Sequence, residues 1–286
     1  MIMSILQNKI DFAAIVSVTR ANINGDPLNG NRPREDYVGH GIISDVAIKR
    51  KLRNRLQDMG ECIFVQSDDR SDDGCKSLRE RADSYKEFKA EIDKGKKADR
   101  DKCVRLACSK WFDVRAFGQV FAFKGDEVSI SVRGPVSIQQ AVSVSPIDIV
   151  DMQITKSVNS EAGKSGKSSD TMGMKHYVNF GLYVIRGSIN CQLAEKTGFT
   201  YEDAQKIKKA LCTLFENDVS SARPEGSCEV CRVYWWEHSS KTPKETSSKI
   251  YRSLHIKPIK DIPDSFDSYE ITLDETECVP EIIDLI

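Results

Sequence analysis

Apolar and polar positions along the chain follow a pattern that predicts a strand-rich body. Residues 10–20 form an apolar, β-branched run that ends where a loop rich in Asn and Gly begins, which predicts a buried strand. Similar strand-like runs follow at residues 62–66, 111–115, 120–123, 128–132, 136–144 and 230–236. The pattern therefore indicates a sheet whose strands are spread over most of the chain.

Two segments show the period of amphipathic helices instead. After Ser44, four apolar residues fall on one side of a helix, namely Ile48, Leu52, Leu56 and Met59. Thr200 is a suitable N-cap for a second helix, whose apolar positions are Ala204, Ile207, Leu211 and Leu214. We expect both helices to pack one face against the sheet.

Two polar segments interrupt the sheet. Residues 68–110 are rich in charges of both signs and have weak helical patterning, which predicts an inserted helical subdomain with solvated faces. Residues 157–170 are polar and rich in Ser and Gly, so they cannot pack a core. Because residues 152–156 and 177–184 on either side are strand-like, we expect a long hairpin that projects from the sheet.

Charge is distributed unevenly along the chain. The 42 basic and 43 acidic residues give a formal net charge of −1, but residues 257–286 contain nine acidic and two basic side chains, so residues 1–256 sum to +6. A basic body with an acidic tail favours a polyanionic partner. Since there is no run of about 18 apolar residues and no signal-peptide pattern at the start, we expect a cytoplasmic protein without a membrane partner.

The nine cysteines do not indicate a metal site. In a chain of this length, an odd set is expected to remain as thiols in a reducing compartment. Cys228 and Cys231 have the spacing of zinc ligands, but no second pair follows, and on a strand the two thiols would point to opposite faces. We therefore expect neither a metal nor another cofactor.

The clearest chemistry lies in the loop at residues 22–34 and in the helix after it. The helix carries five basic residues in a window of seven, namely Lys49, Arg50, Lys51, Arg53 and Arg55. Arginine and lysine groups suit phosphate oxygens, and Gly25 and Gly30 in the loop would let backbone N–H groups approach the same anions. Because Asp45 and Asp58 are too few to neutralise these cations, we favour ligand binding over internal pairing.

The projecting hairpin offers a second set of candidate contacts. Its lysines can follow a nucleic-acid backbone, and three other side chains can wedge against bases or stack on them. The lysines are Lys156, Lys164, Lys167 and Lys175, and the other three residues are Met172, Met174 and His176. A loop without any ligand explains the same composition equally well, so both interpretations stay open.

Catalysis is the weaker interpretation of the basic loop. Asp26 and His40 could act as general acid and base on an RNA phosphodiester, with Arg32 or Arg34 stabilising the developing charge. The other interpretation is ordinary turn chemistry, since Asp26 precedes a proline. We favour the turn.

Five sequence runs carry a family resemblance. They are NGDP and NGNRPR in the loop, GHGIISDVAIKRKLRN at residues 39–54, and TMGMKH with FGLY at residues 171–183. These runs closely resemble the backbone subunit of the type I-C CRISPR Cascade, a member of the repeat-associated RNA-binding superfamily. The resemblance covers residues 10–236. One departure is Ile23, where the family commonly has proline.

The resemblance implies an α+β fold with a modified RRM-like (ferredoxin-like) palm. The palm would consist of residues 1–60, 111–150 and 180–256. Helical fingers are implied at residues 61–110, a projecting thumb hairpin at residues 151–179 and an acidic C-terminal tail at residues 257–286.

The resemblance also implies a function. Copies of the family's subunit assemble along one CRISPR guide RNA (crRNA), each thumb flips out a base, and the guide then pairs with invading DNA. The expected partners are guide RNA, target DNA through the guide, further copies of this chain, and the guide-end-binding, large and small subunits of Cascade. The backbone subunit of this branch is not a nuclease. A related branch cuts RNA with an acid in this loop, so cleavage by Asp26, Asp36 or His40 remains the alternative.

Residue by residue, the resemblance implies RNA contacts in the loop, in the first helix and in the thumb. In the loop and first helix they are Arg20, Asn24, Arg32, Arg34, Ser44, Lys49, Arg50 and Arg53. In the thumb they are Lys156, Lys164, Lys167, Met172, Met174 and His176. The family binds mainly sugar and phosphate, which suits a protein that must accept any guide sequence.

Overall fold

The computed structural model describes residues 4–123, 125, 127–155 and 172–286. These residues form fourteen strands: β1 (Ile10–Ala21), β2 (Gly25–Asp26), β3 (Arg32–Pro33), β4 (His40–Ile43), β5 (Gly118–Phe121), β6 (Ile130–Arg133), β7 (Val136–Ile138), β8 (Ala141–Pro146), β9 (Ile149–Thr155), β10 (Met172–Ile189), β11 (Cys228–Glu237), β12 (Leu254–Pro258), β13 (Tyr269–Leu273) and β14 (Glu281–Asp284). They also form eight α-helices: α1 (Asp45–Asp58), α2 (Leu78–Ser84), α3 (Lys86–Ile92), α4 (Arg100–Lys110), α5 (Phe112–Phe117), α6 (Cys191–Thr197), α7 (Tyr201–Cys212) and α8 (Ser247–Ser253).

The main sheet is antiparallel, with the strand order β14-β11-β1-β10-β8-β4. β7 and β9 also pair with the long strand β10. β1 lies in the middle, where Ile10 is opposite Ile189 of β10 on one side and opposite Glu237 of β11 on the other. The predicted strand at residues 10–20 is therefore confirmed, and it is hydrogen-bonded along both edges.

Both faces of β1 are buried. Phe12, Ala14 and Val16 belong to a large apolar cluster that also contains the inner sides of α1 and α7. Ala13 and Ile15 belong to a cluster on the other face, which is covered by α8 and the β12–β13 hairpin. This burial on two faces explains why the strand is a continuous apolar run rather than an alternating one.

The two predicted amphipathic helices are confirmed. At the start of α1, the Ser44 hydroxyl accepts a hydrogen bond from the Ala47 N–H at 3.3 Å. α7 begins with a capping box, in which the Thr200 hydroxyl accepts from the Asp203 N–H at 3.1 Å and the Asp203 carboxylate accepts from the Thr200 N–H at 3.0 Å. Both helices bury their apolar stripes in the large cluster. Among the described residues, no helix has the length and apolar character needed to cross a membrane.

The residues between α1 and β7 have an apolar core of their own, which we call the insertion cluster. Its centre is aromatic: the rings of Phe64 and Trp111 lie 4.8 Å apart, and those of Phe88 and Phe121 lie 5.0 Å apart. α2, α3, α4 and the β5–β6 hairpin supply most of the rest. The helical character predicted for residues 68–110 is confirmed.

The strand predicted at residues 111–115 is wrong, because these residues enter helix α5. α5 lies between two cores: Phe112 and Ala116 pack in the large cluster, and Val114 packs in the insertion cluster with Trp111 just before it. A helix that is buried on two sides has no single apolar stripe, so its sequence resembles that of a buried strand.

The strand predicted at residues 62–66 is also wrong. The backbone N–H groups of Phe64 and Val65 donate to the carboxylate of Asp113 at 2.7 and 3.0 Å, where a strand would donate to a neighbouring backbone. The same carboxylate accepts a bond from Arg53 at 2.9 Å. One buried side chain thus joins α1, α5 and the segment between α1 and α2.

The acidic C-terminal segment is folded onto the body. β13 pairs with β12, and β14 pairs with β11 as a strand of the main sheet. Its acids meet basic side chains, since Lys208 Nζ lies 2.7 Å from Glu281, and Arg232 pairs with Asp284. The segment expected as a tail therefore covers part of the sheet and neutralises part of the basic body.

Replacing Asp113 with alanine should lower the free energy of unfolding by about 3–5 kcal/mol, because Arg53 and two N–H groups would lose their buried acceptor. Denaturant unfolding measures this. The matched control is Asp93→Ala, which removes an exposed carboxylate 3.5 Å from Lys89 and should cost about 0–1 kcal/mol. Equal losses in the two variants would contradict the role given to Asp113.

Candidate nucleic-acid interface

The loop at residues 22–34 is ordered by its own polar groups. Asn22 Nδ2 donates to the Asn31 carbonyl at 2.6 Å, and the Asn31 N–H donates to the Asp26 carbonyl at 2.8 Å. Asp26 also caps a short 3-10 turn by accepting from the Leu28 N–H at 3.2 Å. The turn ends at Gly30, whose φ of 57° favours glycine. The loop therefore holds its shape without a ligand.

Asn24 and Ser44 join this loop to the start of α1. Asn24 Oδ1 accepts from the Ser44 N–H at 2.8 Å, and the Asn24 carbonyl accepts from the Arg34 N–H at 3.3 Å. The Ser44 hydroxyl is already occupied by the helix cap. Both predicted RNA-contacting residues thus position the loop and the helix.

The base of the β9–β10 hairpin contacts the loop. Asp151 on β9 is paired with Arg32 of the loop and lies 2.6 Å from Nδ1 of His176 on β10. The hydrogen bond with His176, aided by Arg32, holds the pKa of Asp151 below its ordinary value. A Cβ atom at Gly30 would lie 3.8 Å from the His176 ring. The loop and the hairpin base therefore form one continuous surface.

The predicted hairpin is confirmed between residues 149–155 and 172–178, which pair in register. Met172 and Met174 share one face with His176 and are 64% and 54% exposed. Met152 and Ile154 lie on the other face and are 44% and 45% exposed. Both faces therefore present apolar surface. The predicted contacts Lys156, Lys164 and Lys167 lie outside the described residues.

Arg50 and Arg53 of α1 are held by the insertion. Arg53 Nε donates to Asp113 at 2.9 Å, and Arg50 Nη1 donates to the Val65 carbonyl at 2.6 Å. Burial, together with the nearby charge of Arg53, lowers the pKa of Arg50. These two guanidinium groups tie α1 to the insertion cluster.

The remaining basic residues of α1 and the loop arginines also have partners. The pairs are Lys51 with Asp218, Arg55 with Thr213 and Glu216, Lys49 with Asp45, and Arg34 with Asp26. The expectation that acids were too few to neutralise α1 is wrong. It counted acids in the same segment, whereas the acids paired with Arg53, Arg55 and Lys51 lie 60 to 167 residues away along the chain. α1 therefore presents much less free positive charge than its sequence indicates.

Arg20 and Lys175 differ from the other predicted cations. Arg20, the last residue but one of β1, has a left-handed conformation with φ of 51°, which is uncommon for a residue other than glycine, and its side chain is exposed. Lys175 is exposed on β10. Within the described part of the chain, neither side chain has a hydrogen-bond or ion-pair partner. Their charges are available to an anion.

The residues considered for catalysis are engaged in turns. Asp26 binds Arg34 at 3.2 Å in addition to capping its turn. Asp36 accepts from the N–H groups of Val38 and His40 at 3.0 and 2.9 Å, and the His40 ring lies 3.6 Å from the same carboxylate. Their geometry agrees with turn chemistry.

Metal ligands do not assemble in the described ranges, where no group of three or more His, Cys, Asp or Glu side chains is arranged to hold an ion. Cys228 and Cys231 lie in the clusters on opposite faces of the sheet, as their place on a strand predicted. Burial raises the pKa of each thiol to about 11. Both behave as small apolar core residues.

Comparison with known proteins identifies the family. The family described as CRISPR-associated protein Cas7 matches residues 8–274. The chain therefore belongs to the Cas7 family, and the resemblance found in the sequence is confirmed at that level.

Individual relatives are more distant. The CRISPR-associated protein Cas7 of Haloferax volcanii is 24% identical over 232 residues, which are 75% of this chain and 66% of that protein, a little under two thirds of its length. A solved chain described as "CRISPR RNA-guided surveillance complex, pre-nicking" is 16% identical, with a TM-score of 0.47 over 79% of this chain and 77% of that one. A chain of another "CRISPR RNA-guided surveillance complex" is 15% identical, with a TM-score of 0.45 over 79% and 68%.

Replacing Asp151 with asparagine should loosen the hairpin base, since the bonds to Arg32 and His176 lose their charge. Amide hydrogen exchange at residues 172–178 should become several times faster near neutral pH. Asp148→Asn is the control, because that carboxylate is exposed and has no side-chain partner among the described residues; it should leave the exchange unchanged. In the parent protein, the contact should weaken as the pH falls through the lowered pKa of Asp151, below 3.8.

Proposed function

We propose that this chain is a non-catalytic backbone subunit of a type I-C CRISPR surveillance complex, which binds guide RNA and presents it to invading DNA. The Cas7 family match over residues 8–274 carries the proposal. The loop and the hairpin support it, because exposed Arg20 precedes the loop, and the hairpin carries Lys175 on one face and exposed Met172 and Met174 on the other.

We infer that the sheet is a modified RRM-like palm of the ferredoxin-like kind. Its support is the sequence of elements β1-α1-β8-β10-α7-β11, which is a βαββαβ unit, together with the antiparallel strand order β11-β1-β10-β8. Residues 61–110 would be the fingers, residues 151–179 the thumb and residues 257–286 an acidic C-terminal segment. The separate insertion cluster favours fingers that fold as a unit.

The covered face of the sheet favours backbone recognition. α8 and the β12–β13 hairpin occupy the face on which an ordinary RRM stacks bases. The guide would therefore be bound along the loop and the thumb, mainly through sugar and phosphate, so that any guide sequence is accepted.

The candidate contacts fall into three groups. Arg20 and Lys175 would bind phosphates directly, and Met172, Met174 and His176 would meet the displaced base. Arg32, Arg34 and Lys49 would bind phosphates by exchanging partly exposed ion pairs, which cost little to open. Asn24, Ser44, Arg50 and Arg53 would position the surface, and Lys156, Lys164 and Lys167 would follow the guide from the thumb.

The proposed assembly includes further copies of this chain along the guide. The guide-end-binding, large and small subunits of Cascade would complete it, target DNA would pair with the guide, and the complex would act in the cytoplasm. The turn contacts of Asp26, Asp36 and His40 favour a subunit that does not cleave RNA.

Co-expression with a CRISPR array tests the proposal. The purified protein should then have a 260/280 absorbance ratio well above that of the protein expressed alone, should lose this excess on ribonuclease treatment, and should elute as a large oligomer. A monomer without nucleic acid from the same co-expression would refute the proposal.

Replacing Arg20 and Lys175 together with glutamine should weaken guide binding to the same extent for all guide sequences, because phosphate contacts carry no sequence information. The slope of log K against log salt should flatten by about 1.4, since each lost contact to a single strand removes ~0.7. Arg100→Gln with Lys196→Gln is the control, as both are exposed cations elsewhere. A loss that depends on guide sequence would contradict the assignment.

A further inference from the structure

Arg186 is a half-buried arginine whose side chain has no hydrogen-bond or ion-pair partner among the described residues. It lies on β10 opposite Ala13, and its side chain points to the face of the sheet covered by α8 and the β12–β13 hairpin. Its Nε atom is buried and has no hydrogen-bond acceptor among the described residues. Burial lowers the pKa of this guanidinium. A desolvated donor of this kind favours an incoming anion.

Two open grooves meet at Arg186 and Leu254. One, of about 460 Å³, is lined on its other side by Arg252, with Gln139 and Ser248 as polar neighbours. The other, of about 420 Å³, is lined by Lys257 and His255 and by apolar side chains of β8 and β12. Among the described residues, no carboxylate lines either groove.

The side chains that line the two grooves carry a net positive charge. Arg252 and Lys257 are exposed and have no ion pair within the described ranges. His255 is bonded to Asp274 at 2.8 Å, and Glu270 lies opposite Lys257 in the β12–β13 register. Arg186 lines both grooves, Arg252 lines one and Lys257 lines the other, so the two adjoining grooves contain three positive charges.

We propose that Arg186, Arg252 and Lys257 form a second anion-binding groove, which takes the sugar-phosphate backbone of a nucleic-acid strand. A strand carries one charge per nucleotide and meets all three cations, while its sugars contact the apolar wall. An acidic protein segment would need acids at matching intervals. Arginine also binds phosphate with two parallel bonds.

This groove is separate from the loop and thumb surface. Arg186 is opposite Ala13, whereas the loop begins after Ala21, eight residues farther along β1. At about 3.3 Å per residue this is ~26 Å along the strand. The inference therefore goes beyond guide binding, and a strand other than the bound guide segment could occupy the groove.

The test is binding of fluorescein-labelled oligothymidylate by the purified full chain, with and without co-expressed guide, over a range of salt concentrations. Because the oligonucleotide has no complementarity to the guide, base pairing does not contribute. Arg186→Gln with Arg252→Gln should reduce the salt slope by about 1.4, at ~0.7 per lost phosphate contact. Guide loading, read from the 260/280 ratio, should stay unchanged.

Two further variants keep the result interpretable. Arg252→Gln with Lys257→Gln leaves Arg186 in place, changes only exposed side chains, and should flatten the slope equally even if the Arg186 variant is unstable. Arg133→Gln with Lys196→Gln removes two exposed cations near a different groove and should have little effect.

Three outcomes would overturn the inference. One is an equal loss in the groove variants and the Arg133/Lys196 control. Another is displacement of the oligonucleotide by polyglutamate at equal charge, which would indicate an acidic protein ligand. The third is loss of guide loading in the groove variants, which would assign the groove to the guide. Failure of guide loading in the parent chain would refute only the proposed function, since the oligonucleotide arm needs no guide.

Discussion

From Ile10 to Val18, β1 is paired along both edges and buried on both faces, and the rest of the molecule takes its position from that strand. β10 and β11 bond both of its edges, and its side chains alternate between two apolar clusters. A shift of one residue would exchange the contents of those clusters, so the register is strongly fixed. The loop after Ala21 therefore starts from a rigid point, and its own hydrogen bonds then fix its shape.

Burial against an acidic partner distinguishes the cations that stabilise the fold from those that can bind a ligand. Removing Arg53 or Lys51 from water is costly, and each is compensated by an acid from a distant part of the chain. These pairs join α1 to the insertion on one side and to the segment after α7 on the other. The cations left without a partner, such as Arg20, sit at the ends of elements, where solvent or a ligand can reach them. Counting positive residues in the sequence cannot make this distinction.

The sequence predicted the elements whose signals are local. A polar cap followed by an apolar stripe marked α1 and α7, and two strand-like flanks marked the β9–β10 hairpin. It failed for α5, where burial on two sides hid the helical period, and for the acids that neutralise α1, because their positions depend on tertiary contacts. Asp151 left a weak signal, a single acid within a strand-like run. Only the strand register, which places Asp151 opposite His176, shows that this acid belongs to the contact between loop and hairpin.

The covered sheet and the exposed hairpin limit where a ligand can contact the protein. Since layers cover both faces around β1, the proposed nucleic-acid contacts lie near Arg20, at one end of the strand, and in the groove at Arg186 beside the covering layer. The hairpin, in contrast, exposes apolar side chains on both faces. Such a surface is unfavourable in water and normally marks a contact site. One face adjoins the basic loop, and the other carries Lys175 beside Met152 and Ile154, so a nucleic-acid strand bound through Lys175 would also contact this second apolar face.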